Sequence, residues 1–509
     1  MSYKKLGFAS HIVLPIVTVL GLLATLQAGR AQSPKDSATD SPPSRPNIVF
    51  ILCDDLGIGD VHVFNPQRGK ILTPYLDQLA RDGMRFTDAH SSSAVCTPSR
   101  YSILTGRYCW RSRLQSGVLG GESAPLLASN RLTVAEFLQR QGYATACLGK
   151  WHLGLEFGAR KFVDPILNGP LQHGFDSFFG ISASLDMPPF AWIDGNRFTE
   201  EPTATKTWLR EGPAGPSFEA IDVLPTLTRK ACEFIRSKAD QEGSPYFLYL
   251  AYASPHTPIV PTPEWRGKSG LGEYADFVMQ TDACIGEVLQ AIDDAGQRDN
   301  TLVVFTSDNG FAPAADPQAL ERQGHFPSAG YRGYKADIWE GGHRVPMIAR
   351  WPGRVAADSE CSQLVGLVDF FATVGDLLEL PIPGDSAEDS ESFLPALEGR
   401  SEPRRKTQLF HSINGRFAVR DGSWKLELCP GSGGWGAPRD AQAVKQQLPP
   451  WQLYDLSVDP REQTNRYADR PEIVDRLGKL LETAVDQGRT TEGEPKPNDV
   501  TVAIELPAK

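Results

Sequence analysis

The sequence predicts an α/β fold: a large, mainly parallel sheet covered by helices on both faces, with a smaller C-terminal antiparallel sheet plus helix. Three observations carry this. Short apolar, β-prone runs alternate with amphipathic helical stretches over most of the chain. Those runs are continuous rather than alternately polar, the pattern of strands buried on both faces of a parallel sheet. Beyond residue 395 the pattern changes to a tight hairpin and one long helix.

Taken in order, "NIVFIL" (47–52) opens the folded part and precedes the helix-like "TPYLDQLARDG" (73–83). "PSRYSILTG" (98–106) reads as a helix that begins at proline, directly after Cys96 and Thr97. "LTVAEFLQRQG" precedes "YATACLG", "DVLPTLTRKACEFIRSKA" precedes "PYFLYLAYAS", and "EYADFVMQTDACIGEVLQAIDDAG" precedes "TLVVFTS". After the polar "PIPGDSAEDSES", the stretch "FAVRDGSWKLEL" turns at Asp421-Gly422, and "WQLYDL" and the helical "PEIVDRLGKLLETAVDQ" follow. The tail from Thr490 has little apolar patterning and is expected to be loosely held.

The chain has 509 residues, too many for one ordinary core, so a large domain with a smaller satellite is expected. The first 31 residues place Lys4 and Lys5 ahead of an apolar run that ends in small residues, the layout of a cleavable secretory signal. The same run, Ile12 to Leu26, approaches the length of a spanning helix, so an uncleaved anchor is the rival reading. The organisation expected is a signal at 1–31, a Ser/Pro-rich disordered leader at 32–46, a catalytic α/β domain at 47–395 and an α+β subdomain at 396–509.

Removing residues 1–31 deletes Lys4, Lys5 and Arg30 and no acid, moving the formal charge from -11 to -14. An acidic exported protein does not attract nucleic acid through its overall field. The eight cysteines form no CxxC pair and no zinc-finger spacing, which removes the usual structural zinc sites. Export permits disulfides, but the sequence does not pair them.

Reactive residues gather where the predicted strands end, which is where open α/β sheets bind ligands. "NIVFILCDD" ends in Asp54-Asp55, "ATACLGKWH" in Lys150 and His152, "FLYLAYASPH" in His256, and "VVFTSDNG" in Asp308-Asn309. Singly each has an ordinary reading: a cap, a turn, a loop histidine, a solvated lysine. Together, three acids and an amide oxygen suit a hard divalent cation, calcium or magnesium, better than zinc. Arg100, Lys150 and Lys335, with His152 and His256, supply the charge and titratable groups that a tetrahedral oxyanion needs. Cys96 lies directly before a helix whose free N–H groups add a positive end. The set is suited to an anionic ester.

These residues also carry a family resemblance. "CTPSRYSILTGR" (96–107) resembles the first signature of the type I, formylglycine-dependent sulfatases, arylsulfatase-like members of the alkaline phosphatase superfamily, and "GYATACLGKWHLG" (142–154) resembles the second. The likeness runs from "RPNIVFILCDDLG" through "SDNG" to "WEGGHRVPMIARWPG" and returns in "LYDLSVDPREQTN". Leu148 departs from the smaller or β-branched residue usual before Gly149-Lys150, without touching a reactive group.

The resemblance implies a sulfuric ester hydrolase, secreted or periplasmic and of bacterial type, acting on a sulfated carbohydrate. It implies that a maturation enzyme oxidises Cys96 to formylglycine, reading Pro98 and Arg100, and that the hydrate is the nucleophile. Arg100 then holds the hydrate. Asp54, Asp55, Asp308, Asn309 and modified Cys96 hold Ca2+, or alternatively Mg2+. Lys150 and Lys335 bind the sulfate oxygens, His256 with Lys335 assists the leaving alcohol, and His152 helps break down the sulfated intermediate. The physics agrees: a metal and lysines reduce repulsion of the nucleophile, a general acid handles the alkoxide, and a geminal diol can expel sulfate without water attacking sulfur.

Two alternatives stay open: a phosphonate or phosphate monoester hydrolase on the same scaffold, and an unmodified carbohydrate-binding protein. Residues 184–198, 323–334 and 429–440 are the candidate rim of the pocket, where loops select the alcohol. His173, His325, His343 and His411 are unassigned.

Overall fold

The apolar runs assemble into one ten-stranded sheet. In chain order its strands are β1 (Asn47–Asp54), β2 (Met84–Phe86), β3 (Ala144–Lys150), β4 (Ser177–Ile181), β5 (Ile193–Asp194), β6 (Arg197–Phe198), β7 (Tyr246–Pro255), β8 (Thr301–Ser307), β9 (Met347–Arg350) and β10 (Ser359–Cys361). In space they run β10-β2-β9-β8-β1-β7-β3-β4-β5-β6. The middle five, β8-β1-β7-β3-β4, are mutually parallel, with Ile48 of β1 opposite Phe247 of β7 and Leu302 of β8. Antiparallel β9 and the β5-β6 hairpin flank them. The computed structural model describes residues 45–239 and 244–504. The expected signal at 1–31 and the leader as far as residue 44 lie outside the described residues.

Continuous apolar strands work here because both faces are covered. Ile48, Phe50 and Leu52 of β1 enter one core, while Val49, Ile51 and Cys53 enter another on the opposite face. Helices α1 (Pro74–Arg81), α4 (Val223–Ser237) and α5 (Glu273–Asp294) close the second core with Leu76, Leu227 and Ile285. Helices α2 (Cys96–Thr105), α3 (Val134–Arg140) and α6 (Phe370–Leu377) close the first with Ile103, Leu138 and Phe371. Each such side chain, fully buried, contributes about 1.5–3 kcal/mol. Every residue of α2 is buried, the signature of a helix enclosed on all sides. It starts at Cys96 itself, two residues earlier than the proline suggested, and stops at Gly106 in the left-handed conformation.

The C-terminal strands β11 (Thr407–His411), β12 (Phe417–Asp421), β13 (Trp424–Glu427) and β14 (Gln452–Asp455) form the expected antiparallel sheet. Helix α7 (Pro471–Gln487) covers one face through Leu477 and Leu481, packed with Val419, Leu426 and Leu453. The tail from Thr490, expected to be loose, is tied down instead over its described part, up to residue 504. Arg107 and Arg111, buried just past α2, are the reason: Arg107 pairs with the Asp499 carboxylate at 3.0 Å, and the carbonyl of Arg111 accepts from the Asp499 N–H at 2.8 Å. All eight cysteines are buried and unpaired, so no disulfide supports the fold. Among the described residues no helix is long and apolar enough to cross a membrane.

Candidate active site

Parallel strands end on a common edge, and that edge collects the polar residues read in the sequence. Asp54 ends β1 and Asp55 follows it; Lys150 ends β3, with His152 two residues on; His256 follows β7; Asp308 and Asn309 follow β8. Asp55 and His152 have φ of 68° and 59°, a left-handed turn that costs about 1 kcal/mol or more outside glycine. All of these residues are buried.

The side chains neutralise one another in pairs. Lys150 Nζ donates to Asp54 Oδ2 at 2.6 Å, and Lys335 Nζ donates to the Asp55 carboxylate at 2.7 Å. Arg100, one turn along α2 from Cys96, grips Asp308 Oδ2 with Nε at 2.9 Å and Nη2 at 2.8 Å. Its Nη1 donates to the Lys150 carbonyl at 3.1 Å, so one guanidinium ties α2 to the ends of β8 and β3. Burial opposes that charge, but Asp308 and Asp54 outweigh it and raise the Arg100 pKa. Burial likewise opposes ionised Asp54, yet Lys150, His256, Arg100 and Lys335 hold its carboxyl well below the usual range. Burial and the charge of Asp54 push Asp308 up to about 6. The Asp55 carboxylate, against burial, raises Lys335.

The donor set fits a hard cation. Asp54, Asp55, Cys96 and His256 each present a ligand atom, all within 4.8 Å of one another. Asp54 Oδ1 and Asn309 Oδ1 are buried and accept no hydrogen bond among the described residues. Asn309 Nδ2 donates to Asp55 Oδ1 at 2.8 Å, and the Asp55 N–H donates to Asp308 Oδ1 at 3.3 Å, so these three residues form one connected group. Buried oxygens left unpaired beside carboxylates are what a divalent cation satisfies.

The histidines are set up differently. His152 Nε2 donates to the Leu119 carbonyl at 2.7 Å, leaving buried Nδ1 as a free acceptor. Burial, then Lys150 and Arg100, hold its pKa well below the ordinary value, so the ring is neutral. His256 Nδ1 donates to the Thr257 carbonyl at 2.6 Å, and Nε2 lies 3.5 Å from Asp55 Oδ2. Burial, opposed by Lys150 and Lys335, pushes the Cys96 thiol up to about 12.

The histidines that the sequence left unassigned are engaged elsewhere. His173 bonds Asn168 and His325 bonds Asp60. His411 lines a separate cavity of about 210 Å³ beside Trp110. His343 joins His90 and Glu340 in a second buried group, but Lys425 Nζ at 3.0 Å and Arg344 already supply the positive charge there. In the rim loops, Arg332 is committed to Tyr454 and the Glu462 carbonyl, and Tyr334 to Glu321. Sequence reasoning missed Ser182, and named Ser184 only as the first residue of a candidate rim loop; both buried hydroxyls have no hydrogen-bond partner among the described residues. They follow β4, a strand absent from the sequence expectations; an apolar run ending in polar residues, "FFGISAS", was the available signal.

Comparison with known proteins agrees with this geometry. The Sulfatase family model matches residues 46–380. An N-acetylgalactosamine-6-O-sulfatase of Bacteroides thetaiotaomicron is 34% identical over 523 residues, spanning 92% of this chain and 98% of that protein. Human arylsulfatase A is 33% identical over 466 residues, spanning 86% and 87%. A solved structure from work on the metabolism of multiple glycosaminoglycans by Bacteroides thetaiotaomicron superposes with a TM-score of 0.78 at 33% identity, covering 87% of this chain and 99% of its own. Strand-end chemistry, fold and relatives converge: the chain belongs to the sulfatase family and is a sulfate ester hydrolase.

Proposed function

We propose that the chain releases sulfate from a sulfated carbohydrate, with residue 96 acting after conversion of Cys96 to formylglycine. The cation is calcium, with magnesium as the alternative, held by Asp54, Asp55, Asp308, Asn309 and residue 96. The observation that carries this is the position of Cys96, first residue of a buried helix and within ligand distance of Asp54, Asp55 and His256. A buried thiol held protonated is a poor nucleophile, which favours a modified residue. The name of the N-acetylgalactosamine-6-O-sulfatase relative supports a carbohydrate substrate.

When bound and formed, the cation and the hydrated aldehyde supply charge neutralisation and an oxygen nucleophile. The chain's own residues do the rest. Lys150 and Lys335 hold the sulfate oxygens in a buried site where charge acts strongly. Arg100 fixes the helix turn that carries residue 96. His256 delivers a proton from Nε2 to the leaving alkoxide, its Nδ1 being fixed on Thr257. His152 Nδ1, unpartnered and neutral, takes the proton given up during sulfate release. The N-terminal segment supports export to the periplasm or medium and encounter with a maturation enzyme on the way.

The test is the mass of the peptide containing residues 96–100, from protein made alongside an active maturation enzyme, with sulfate release measured for wild type and Cys96→Ala. Loss of sulfur at residue 96 and no turnover in the variant are expected. An intact thiol, or undiminished release by Cys96→Ala, would overturn the mechanism.

A further inference from the structure

One buried carboxylate beside His256 has no assigned task. Asp186, on the loop after β4, is about nine-tenths buried, and its two oxygens meet different surroundings. Oδ2 faces Arg210 Nη1 at 3.5 Å; Arg210 comes from the hairpin formed by strands Ala204–Trp208 and Arg210–Ala214. Oδ1 is buried, accepts no hydrogen bond among the described residues, and lies 4.0 Å from His256 Nδ1. That nitrogen already donates to the Thr257 carbonyl, so His256 does not satisfy Oδ1.

A buried charged acceptor without a donor is costly, and a donor arriving with a ligand relieves the cost. The position says which part of the ligand arrives. His256 Nε2 faces Asp55 and the sulfate-binding groups, whereas Asp186 stands on the Nδ1 side, away from them. What enters there is the skeleton of the leaving alcohol. A carboxylate oxygen only accepts, so it selects a hydroxyl and repels a second sulfate or a carboxylate.

We propose that Asp186 is a specificity-determining residue that accepts a hydrogen bond from a hydroxyl of the leaving sugar. This rests on the carbohydrate reading above and adds to it. Arg210 steadies the carboxylate from outside, leaving Oδ1 turned inward.

The test compares kcat/KM of wild type, Asp186→Ala and Asp186→Asn on monosulfated hexosamines and on 4-nitrophenyl sulfate, which carries no hydroxyl. Asp186→Ala is expected to lose about 10- to 100-fold on the sugar, the loss for one hydrogen bond to a charged acceptor, and to stay within about threefold on the aryl sulfate. Asp186→Asn keeps an acceptor oxygen and recovers part of the loss. Equal losses on both substrates would show that Asp186 acts through His256 or the fold, and no loss on the sugar would remove its role; either overturns the proposal. Wild-type turnover of the aryl sulfate but of none of the sugars would overturn the carbohydrate reading and this inference with it.

Discussion

Replacing Arg100 with methionine removes the guanidinium that pairs with Asp308 while roughly keeping the volume of the stem. At 2.8 Å and an effective dielectric of about 20, the attraction lost is about 6 kcal/mol, part of which the cost of burying the ions offsets. Deleting one partner of a buried pair leaves the other charge uncompensated, and the expected destabilisation is about 3–5 kcal/mol. Asp54, 3.7 Å from the same guanidinium, loses support too. Denaturant unfolding gives the stability and sulfate release gives the activity, which is expected to fall at least about 100-fold as α2 loses its tie to β8 and β3. Adding Asp308→Asn removes the stranded charge, so the double variant recovers stability, with a coupling of about 1–3 kcal/mol, but not activity, because the proposed cation site loses a carboxylate charge. Arg100→Met within about 1 kcal/mol of wild type, or a double variant no more stable than the single one, would refute the argument that this pair carries the site.

Three further outcomes follow from the same structure. Chelation of divalent cations is expected to abolish sulfate release, with calcium or magnesium restoring it better than zinc; best recovery with zinc would contradict the oxygen-rich donor set. Burial depresses His173 and His411 to about 4, so both rings bind protons more tightly in the unfolded chain, and stability rises with pH between about 4 and 6.5 and is lost as pH falls through that window. Each contributes about 3 kcal/mol; denaturation midpoints of His411→Gln against wild type across the window should show a flatter slope in the variant. Gly149→Ala, just before Lys150, is expected to yield little folded protein in a soluble-expression assay, because its φ is 114° and an added Cβ would lie 1.9 Å from the Ala251 carbonyl oxygen; wild-type yield and stability would show the strand can yield there.

How much of this was legible depended on the length of the signal. The strands Asn47–Asp54, Ala144–Lys150, Tyr246–Pro255 and Thr301–Ser307 announce themselves as long apolar runs, because burial on both faces leaves no room for polar residues. Their final residues could therefore be read as a site. The strands Met84–Phe86 and Ser359–Cys361, three residues each at one end of the sheet, carry too little pattern to stand out, and the hairpin at 204–214 is half-buried or exposed except at Ala214. The tail looked loose because it lacks apolar residues; Arg107 and Arg111 hold it through charge and hydrogen bonds with Asn498 and Asp499, which no local pattern displays.

By itself the sequence determined the fold class and the order of the main strands and helices, and its strand ends put Asp54, Asp55, Lys150, His152, His256, Asp308 and Asn309 forward as a candidate site, with Cys96 and Arg100 added by the family resemblance. Tertiary structure alone decided which charge meets which: that Lys150 pairs with Asp54, Lys335 with Asp55 and Arg100 with Asp308, and that Asp186 is left with one inward oxygen unpaired. The physical reason is separation. Lys335 reaches Asp55 from 280 positions away, and such a contact exists only once the sheet has brought distant strand ends to one edge.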